Sequence, residues 1–311
     1  MKENQNGSKD RGRVAMELTR RDFLKLSGAG VGASVAGGAM VSPAAAQAAG
    51  DDVAILYDPS KCIGCRACQM ACKQWNDLPG ESNDPQELWE TPTGLSAITW
   101  TIIKLKEELK PSPSFFNYQC MHCADAACVS VCPANALFRD EAGFVALDVD
   151  KCIGCGYCTQ WCPFGVPHLH LKSRISGRAK AAKCNFCQDR IWSGIGGPSC
   201  AERCPVEALV WGQRNQLVAK AANRVQELKT AGLSSAAIYG ETEAGGLSRL
   251  SILFDEPGAY NLPTDPKVPG FARFWQDIIQ GLGAVAIVGV TVGALGAFLL
   301  SRGKITMEEV E

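Results

Sequence analysis

Histidine is nearly missing from this chain: there are three in 311 residues, at His122, His168 and His170. None stands in a readable Ser/His/Asp arrangement, and no Walker loop or dinucleotide fingerprint is present. Gly194-Ile195-Gly196-Gly197 is a lone glycine turn with a local explanation. The C-x2-C-H signature of covalent haem attachment is missing too, because in Cys120-Met121-His122-Cys123 the histidine lies inside the pair. Nor does either charge dominate. Lys and Arg number 31 against 32 Asp and Glu, a net charge of −1, which supplies neither a basic surface for nucleic acid nor an acidic disordered tail. These absences leave no reaction centre to be read, and the chain looks built to carry something rather than to transform it.

What is present in excess is cysteine. Sixteen residues fall into four groups of four, with none left over as a free nucleophile. Cys62, Cys65, Cys68 and Cys72 have the spacing C-x2-C-x2-C-x3-C, and Cys152, Cys155, Cys158 and Cys162 repeat it. Cys120, Cys123, Cys128 and Cys132 follow C-x2-C-x4-C-x3-C, and Cys184, Cys187, Cys200 and Cys204 follow C-x2-C-x12-C-x3-C. Three thiolates close in sequence wrap three corners of a cubane, because a tight loop turns their sulfurs inward. The fourth is carried away on a following helix and ligates the other cluster of a pair. A proline after the last cysteine stops the loop returning; Pro133, Pro163 and Pro205 stand there, and Lys73 does so in the first group. The spacing therefore predicts four 4Fe-4S clusters.

Cysteines packed this tightly do not easily find distant disulfide partners. The fourth group alone passes for a four-thiolate zinc site, so a structural zinc protein is a separate alternative. His122 sits inside a cluster loop and reads as a packing or tuning residue, while His168 and His170 follow Pro167 as ordinary loop residues. Lys61, Lys151 and Lys183 each precede a first cysteine. Their ordinary reading is a solvated lysine; their functional reading is a charge that raises a cluster's potential.

Both ends of the chain carry other signals. Thr19-Arg20-Arg21-Asp22-Phe23-Leu24-Lys25 precedes a weakly apolar Gly/Ala-rich stretch over 26–41, and Ala46-Gln47-Ala48 is a cleavage candidate. This pattern predicts a twin-arginine export signal over 1–48. Residues 281–300 contain no charge, and at about 1.5 Å per residue such a helix matches a hydrocarbon core of about 30 Å. Phe271, Phe274 and Trp275 suit one membrane interface, and Arg302 and Lys304 favour a cytoplasmic C-terminus. The expectation is a single span over 271–301 in the inner membrane, with the body facing the periplasm and a cytoplasmic tail over 302–311. Gly289 and Gly293, with Ala297 one step further, could form a helix-packing face.

Between the ends, strands are expected over 52–58, 99–105, 209–213 and 250–254, with a hairpin of 136–139 and 144–148 around Gly143. A helix is expected over 215–230, with Leu217, Ala221, Val225 and Leu228 on one face and Gly232 as its stop. Lys61-Cys62-Ile63-Gly64-Cys65 recurs unchanged as Lys151-Cys152-Ile153-Gly154-Cys155, which suggests duplicated ferredoxin units. The predicted fold is α+β: duplicated bacterial-ferredoxin-like units with two pairs of 4Fe-4S sites, plus one C-terminal transmembrane helix. The four-cluster domain is expected over 49–213 with an insertion at 73–119, and a helix and loop-rich extension over 214–270.

The group order resembles the iron–sulfur subunits of the molybdopterin oxidoreductase superfamily, and within it the beta subunits of membrane-bound respiratory formate dehydrogenase. The residues that carry the resemblance include Cys62-Ile63-Gly64-Cys65-Arg66-Ala67-Cys68-Gln69, Trp75-Asn76-Asp77 and Leu95-Ser96-Ala97 before Trp100-Thr101. They continue with Cys120-Met121-His122-Cys123, Cys152-Ile153-Gly154-Cys155-Gly156-Tyr157-Cys158, Cys162-Pro163-Phe164 and Leu262-Pro263-Thr264-Asp265-Pro266-Lys267. The resemblance implies that the first group exchanges its last ligand with the fourth, and the second with the third. One cluster would then be held by Cys62, Cys65, Cys68 and Cys204, a second by Cys120, Cys123, Cys128 and Cys162, a third by Cys132, Cys152, Cys155 and Cys158, and a fourth by Cys72, Cys184, Cys187 and Cys200. It also implies a non-catalytic electron-transfer role in anaerobic respiration, between a large molybdenum or tungsten pterin subunit that oxidises formate and a membrane cytochrome b that reduces quinone. One departure stands out: in that family the large subunit usually carries the export signal, whereas here the iron–sulfur chain has its own. Membrane-bound hydrogenases have a similar four-cluster subunit with such a signal, so a hydrogenase or another molybdopterin reductase is the alternative complex.

Overall fold

The computed structural model describes residues 46–81, 91–109, 112–171, 178–270, 272 and 281–301. The expected export signal lies outside these residues except for its last three, and the expected tail over 302–311 lies wholly outside them.

A four-stranded sheet organises the body. Its centre is β1 (Val53–Tyr57), which runs antiparallel to β8 (Leu209–Gln213) and parallel to β10 (Arg249–Leu253); β9 (Ala237–Tyr239) closes the far edge against β10. Ile55 faces Trp211 on one side and Arg249 on the other. Successive residues of a strand point to opposite faces, and here both faces are covered. Ala54, Leu56, Leu250 and Ile252 pack on a long helix, while Ile55, Tyr57, Leu209 and Leu253 join Cys68 and Cys200 in the core on the other face. Coverage on both faces is what lets a parallel pair persist.

The long helix spans Arg214–Thr230 and buries Leu217, Ala221, Val225 and Leu228. These positions share one face at a 3.6-residue period, and each of the larger side chains contributes about 1.5–3 kcal/mol by leaving water. The helix stops at Ala231, and Gly232 follows at φ +102°, a left-handed position that glycine occupies without strain. The segment 214–270 is therefore no appendage. Its strand β10 pairs directly with β1, so the boundary expected at 213/214 falls inside one packed body.

Two-stranded hairpins complete the body: β2 (Thr101–Lys106) with β3 (Ser114–Gln119), β4 (Leu137–Arg139) with β5 (Val145–Leu147), and β6 (His168–Leu171) with β7 (Ala179–Ala182). Short helices lie among the cysteines of the four groups: α1 (Ala67–Trp75) with Cys68 and Cys72, α2 (Ala127–Ser130) with Cys128, α3 (Tyr157–Trp161) with Cys158, α4 (Gln188–Trp192) starting just after Cys187, and α5 (Ser199–Glu202) with Cys200. The long helix is α6. Helix α7 (Gly281–Ser301) has 21 uncharged residues. Among the described residues no helix is long and apolar enough to cross a membrane; the span expected over 271–301 also takes in residues outside that set.

Candidate metal centres

Each cysteine loop is shaped by backbone that turns left-handed at fixed places. In the repeated motif Gly64 and Gly154 have φ +68° and +75°, and the residues that start the next helices, Arg66 and Gly156, have φ +59° and +80°. Two such turns within five residues curl the chain round a point, so its sulfurs face inward. Helix α1 then carries Cys72 away, and Cys162 follows directly on the end of α3. The structure brings Cys204 to the cavity lined by Cys62, Cys65 and Cys68. A second cavity is lined by Cys132 together with Cys152, Cys155 and Cys158.

The other two sets are legible in the electrostatics. The Cys72 thiol is pushed well up by burial and then by the charges of Cys184, Cys200 and Cys187. The Cys123 thiol is raised by burial and then by Cys120, Cys128 and Cys162. Burial, followed by Cys62 and Cys204, pushes Cys68 up to about 12. Cys158 rises to about 12 through burial and then Cys155, Cys152 and Cys132. Four crowded, desolvated thiols disfavour the thiolate unless positive charge is supplied among them, and iron supplies it.

Cysteines of different sets also share hydrophobic cores. Cys68 and Cys200 share one core. Cys184 packs with Cys120 and Cys162, and Cys158 packs with Cys123, Cys128, Cys132 and Cys152. The first set thus neighbours the set of Cys72, that one neighbours the set of Cys123, and the last is the set of Cys158. Cys65 and Cys155, in the two outer sets, are exposed, while Cys72, Cys184, Cys187 and Cys200 are buried.

Donors surround the sulfurs. The backbone N–H of Ala136, Ala181 and Ser199 donate to Sγ of Cys132, Cys152 and Cys187, at 3.3, 3.2 and 3.4 Å. More telling are buried donors with no acceptor: His122 Nε2, Gln119 Nε2 and Arg249 Nε. His122 Nδ1 accepts from the Val145 N–H at 3.1 Å, which places the proton on Nε2. Burial, and then the nearby Lys183 charge, hold this imidazole well below its usual pKa, so it is neutral. An unmet buried donor costs about 1–3 kcal/mol, and all three lie among cysteines. Inorganic sulfide and cluster thiolates are acceptors, so these residues fit a 4Fe-4S group. Among the described residues no three His, Cys, Asp or Glu side chains converge on a single-ion site. A cubane is held at its corners, with its thiolates further apart than those round one ion.

Sequence reasoning ranked the three lysines alike, and the structure separates them. The Lys151 side chain is 63% exposed and pairs with Asp148, and Lys61 is half-buried. Lys183 is 1% exposed, with Nζ donating to Val145 O at 2.7 Å and Cys184 O at 2.8 Å. His168 and His170 lie half-buried on β6, with His168 Nδ1 2.8 Å from Val166 O. Sequence reasoning missed Asn117, Gln119 and Arg249, polar residues inside strands with no motif to mark them.

The comparisons agree with this chemistry. Residues 112–214 match the family described as 4Fe-4S dicluster domain, and residues 53–74 match the 4Fe-4S binding domain. The formate dehydrogenase iron–sulfur subunit of Haemophilus influenzae is 33% identical over 268 residues, covering 84% of each chain. The formate dehydrogenase-O iron–sulfur subunit of Escherichia coli is 33% identical over 79% of this chain and 82% of its own. The hydrogenase-2 operon protein HybA of Escherichia coli is 33% identical over 67% of this chain and 66% of its own. With cysteine cups, sulfur-directed donors and relatives of this extent all in agreement, the chain belongs to the family of formate dehydrogenase iron–sulfur subunits, the non-catalytic electron-transfer components of oxidoreductase complexes.

Proposed function

We propose that this chain conducts electrons through four 4Fe-4S clusters, from a large molybdenum or tungsten pterin subunit that oxidises formate to a membrane cytochrome b and quinone. The observation that supports the proposal is that cysteines of all four groups pack into shared cores, with Cys65 and Cys155 exposed. Cys62, Cys65, Cys68 and Cys204 hold the first cluster and Cys72, Cys184, Cys187 and Cys200 the next. Cys120, Cys123, Cys128 and Cys162 hold the third in line, and Cys132, Cys152, Cys155 and Cys158 the last. When bound, each cluster supplies one reversible one-electron step. The chain's own residues fix the order, keep water from the inner sets and offer N–H donors to sulfur. The exposed end sets are where electrons enter and leave.

The body faces the periplasm, exported by the signal at Arg20-Arg21 and held to the inner membrane by a span over 271–301, with residues 302–311 in the cytoplasm. The uncharged run of 281–300 and the exposed Ile287, Val288, Val290, Val292, Leu295, Phe298 and Leu299 of α7 support this reading. The likeness to HybA, with the chain's own twin-arginine pair, favours a hydrogenase complex as the second reading.

The test uses the detergent-solubilised complex, purified without oxygen. Formate is added and the broad visible absorbance of the clusters is followed. Bleaching by formate is the expected result. Bleaching by hydrogen alone would assign the chain to a hydrogenase complex, and an iron-free, colourless preparation would overturn both readings in favour of zinc.

A further inference from the structure

Among the described residues Arg249 is one of the largest side chains fully withdrawn from solvent, 1% exposed on β10. Its guanidinium lies over the Tyr57 ring, 5.0 Å from the centroid. Nη1 donates to Leu250 O at 2.6 Å and Ser251 Oγ at 3.1 Å, and Nη2 donates to Asn117 Oδ1 at 3.0 Å. Nε has no acceptor. Among the described residues no carboxylate forms an ion pair with it. A buried charge without a counter-charge is strongly destabilising, yet this one is held in place on every side. Tyr57, with its hydroxyl neutral and donating to Phe115 O, offers only its ring face, and the groups that bear on the guanidinium as charges are Cys200, Cys68 and Cys184 once they are cluster thiolates. Burial lowers its pKa to about 10, which leaves it charged at neutral pH. Two neighbours on β3 extend the polar layer: Asn117 Nδ2 lies 3.9 Å from Cys68 Sγ, and Gln119 Oε1 lies 3.9 Å from Cys200 Sγ. The apolar core here thus contains a polar seam whose contacts lead to cysteines of the first and fourth groups.

We propose that Arg249 is the counter-charge of the clusters held by the first and fourth cysteine groups, a positioning residue that raises their reduction potentials, with Asn117 and Tyr57 fixing its place. This rests on the ligand sets proposed above. A fixed positive charge favours the reduced, more negative cluster. Lys183 is a second buried cation, set between Cys184 of the fourth group and Cys128 of the second, whereas the contacts of Arg249 lead to cysteines of the first and fourth groups alone.

The test is a mediator-driven potentiometric titration of the whole complex, followed by EPR, on the Arg249→Gln, Arg249→Met and Arg249→Lys variants. Chemical mediators read the clusters whether formate or hydrogen is the physiological donor. Signals are first assigned with Cys204→Ala and Cys162→Ala, so a wrong ligand set shows itself separately from a wrong role for Arg249. The expected result is a downward shift in Arg249→Gln and Arg249→Met of at least tenfold in the reduction equilibrium, 59 mV for a one-electron couple. It is confined to signals of the first and fourth groups, and Arg249→Lys restores most of it. Unchanged midpoints, an equal shift of all four signals, or no rescue by lysine would overturn the proposal. If the glutamine and methionine variants lose iron, the lysine variant decides: retained clusters with near-native midpoints support the charge, and equal loss of iron assigns Arg249 to packing alone.

Discussion

The first and fourth cysteine groups and the second and third groups have the same local chemistry in different surroundings. The first and fourth are built from segments more than a hundred residues apart, drawn together against the central sheet, and polar side chains are buried among them. The second and third lie between Cys120 and Cys162 and share a core of Ala126, Ala136, Leu137, Val145, Leu147 and Ala181. At the set of Cys132 and Cys152 the donors to sulfur are backbone amides. The first region therefore holds a buried seam of Arg249, Asn117 and Gln119, while the second is shielded by apolar side chains, with Lys183 and His122 bonded to Val145 of that core. A repeated motif can thus supply equal cups, while the rest of the fold decides how each one behaves.

The largest expected effect breaks the comparison at its ligands. Cys204→Ala should abolish the cluster of Cys62, Cys65 and Cys68, and Cys162→Ala that of Cys120, Cys123 and Cys128, as read by EPR and iron content. Loss of the Cys184 cluster in Cys204→Ala instead would mean that ligands are not exchanged between the first and fourth groups.

Next in size is the pair of motif glycines. A Cβ on Gly154 would stand 2.2 Å from the Ala179 carbonyl oxygen, which is backbone in β7, while one on Gly64 would meet the Phe115 ring at 2.5 Å. Both sites share the left-handed strain of about 1–3 kcal/mol. The half-buried ring can swing away and the carbonyl cannot without moving the strand. Gly154→Ala should lose its cluster signal, and Gly64→Ala should keep its own with a lowered Tm; equal outcomes would show that the two loops tolerate crowding alike.

Leu217→Ala removes a buried side chain from the α6 face of the sheet and should cost about 2–5 kcal/mol. In a thermal scan the signals of the first and fourth groups should be lost before those of the second and third. Simultaneous loss would show that the two regions unfold as one.

The smallest effect is at Arg224, whose Nε meets Asp58 at 3.0 Å and whose Nη2 meets Ser60 Oγ at 2.9 Å, just before the first cysteine. The guanidinium is partly exposed, so Arg224→Ala should cost about 1 kcal/mol or less, with cluster spectra unchanged. A larger loss in urea titration would mean that α6 pins the first loop more firmly than a surface pair can.

The four cysteine groups and the α6 face were legible because their signals are local or periodic, whereas the exchange of last ligands between groups came only from the family resemblance. Spacing within four residues identifies a cup, and the period of Leu217, Ala221, Val225 and Leu228 identifies a buried stripe. What could not be read has one physical cause. In β10 the alternation of Arg249 and Ser251 with Leu250 and Ile252 has the pattern of a strand with one wet face. All five residues are buried, because the polar side meets a polar seam among cysteines instead of water. Asn117 and Gln119 on β3 were hidden in the same way. The loop-rich impression of 214–270 likewise came from turns around β9 and β10, whose place beside β1 is a long-range fact that no local window contains.

The parallel pairing of Ile55 with Arg249 also sets a timetable. Chains emerge from the ribosome N-terminus first, and contacts distant in sequence close last. The cups of the second and third groups can close once residue 162 has been made, whereas the central sheet waits for residue 253. The first cysteines translated are thus among the last to be enclosed, and they need guarding from oxidation and from the wrong metal until nearly the whole body has been synthesised.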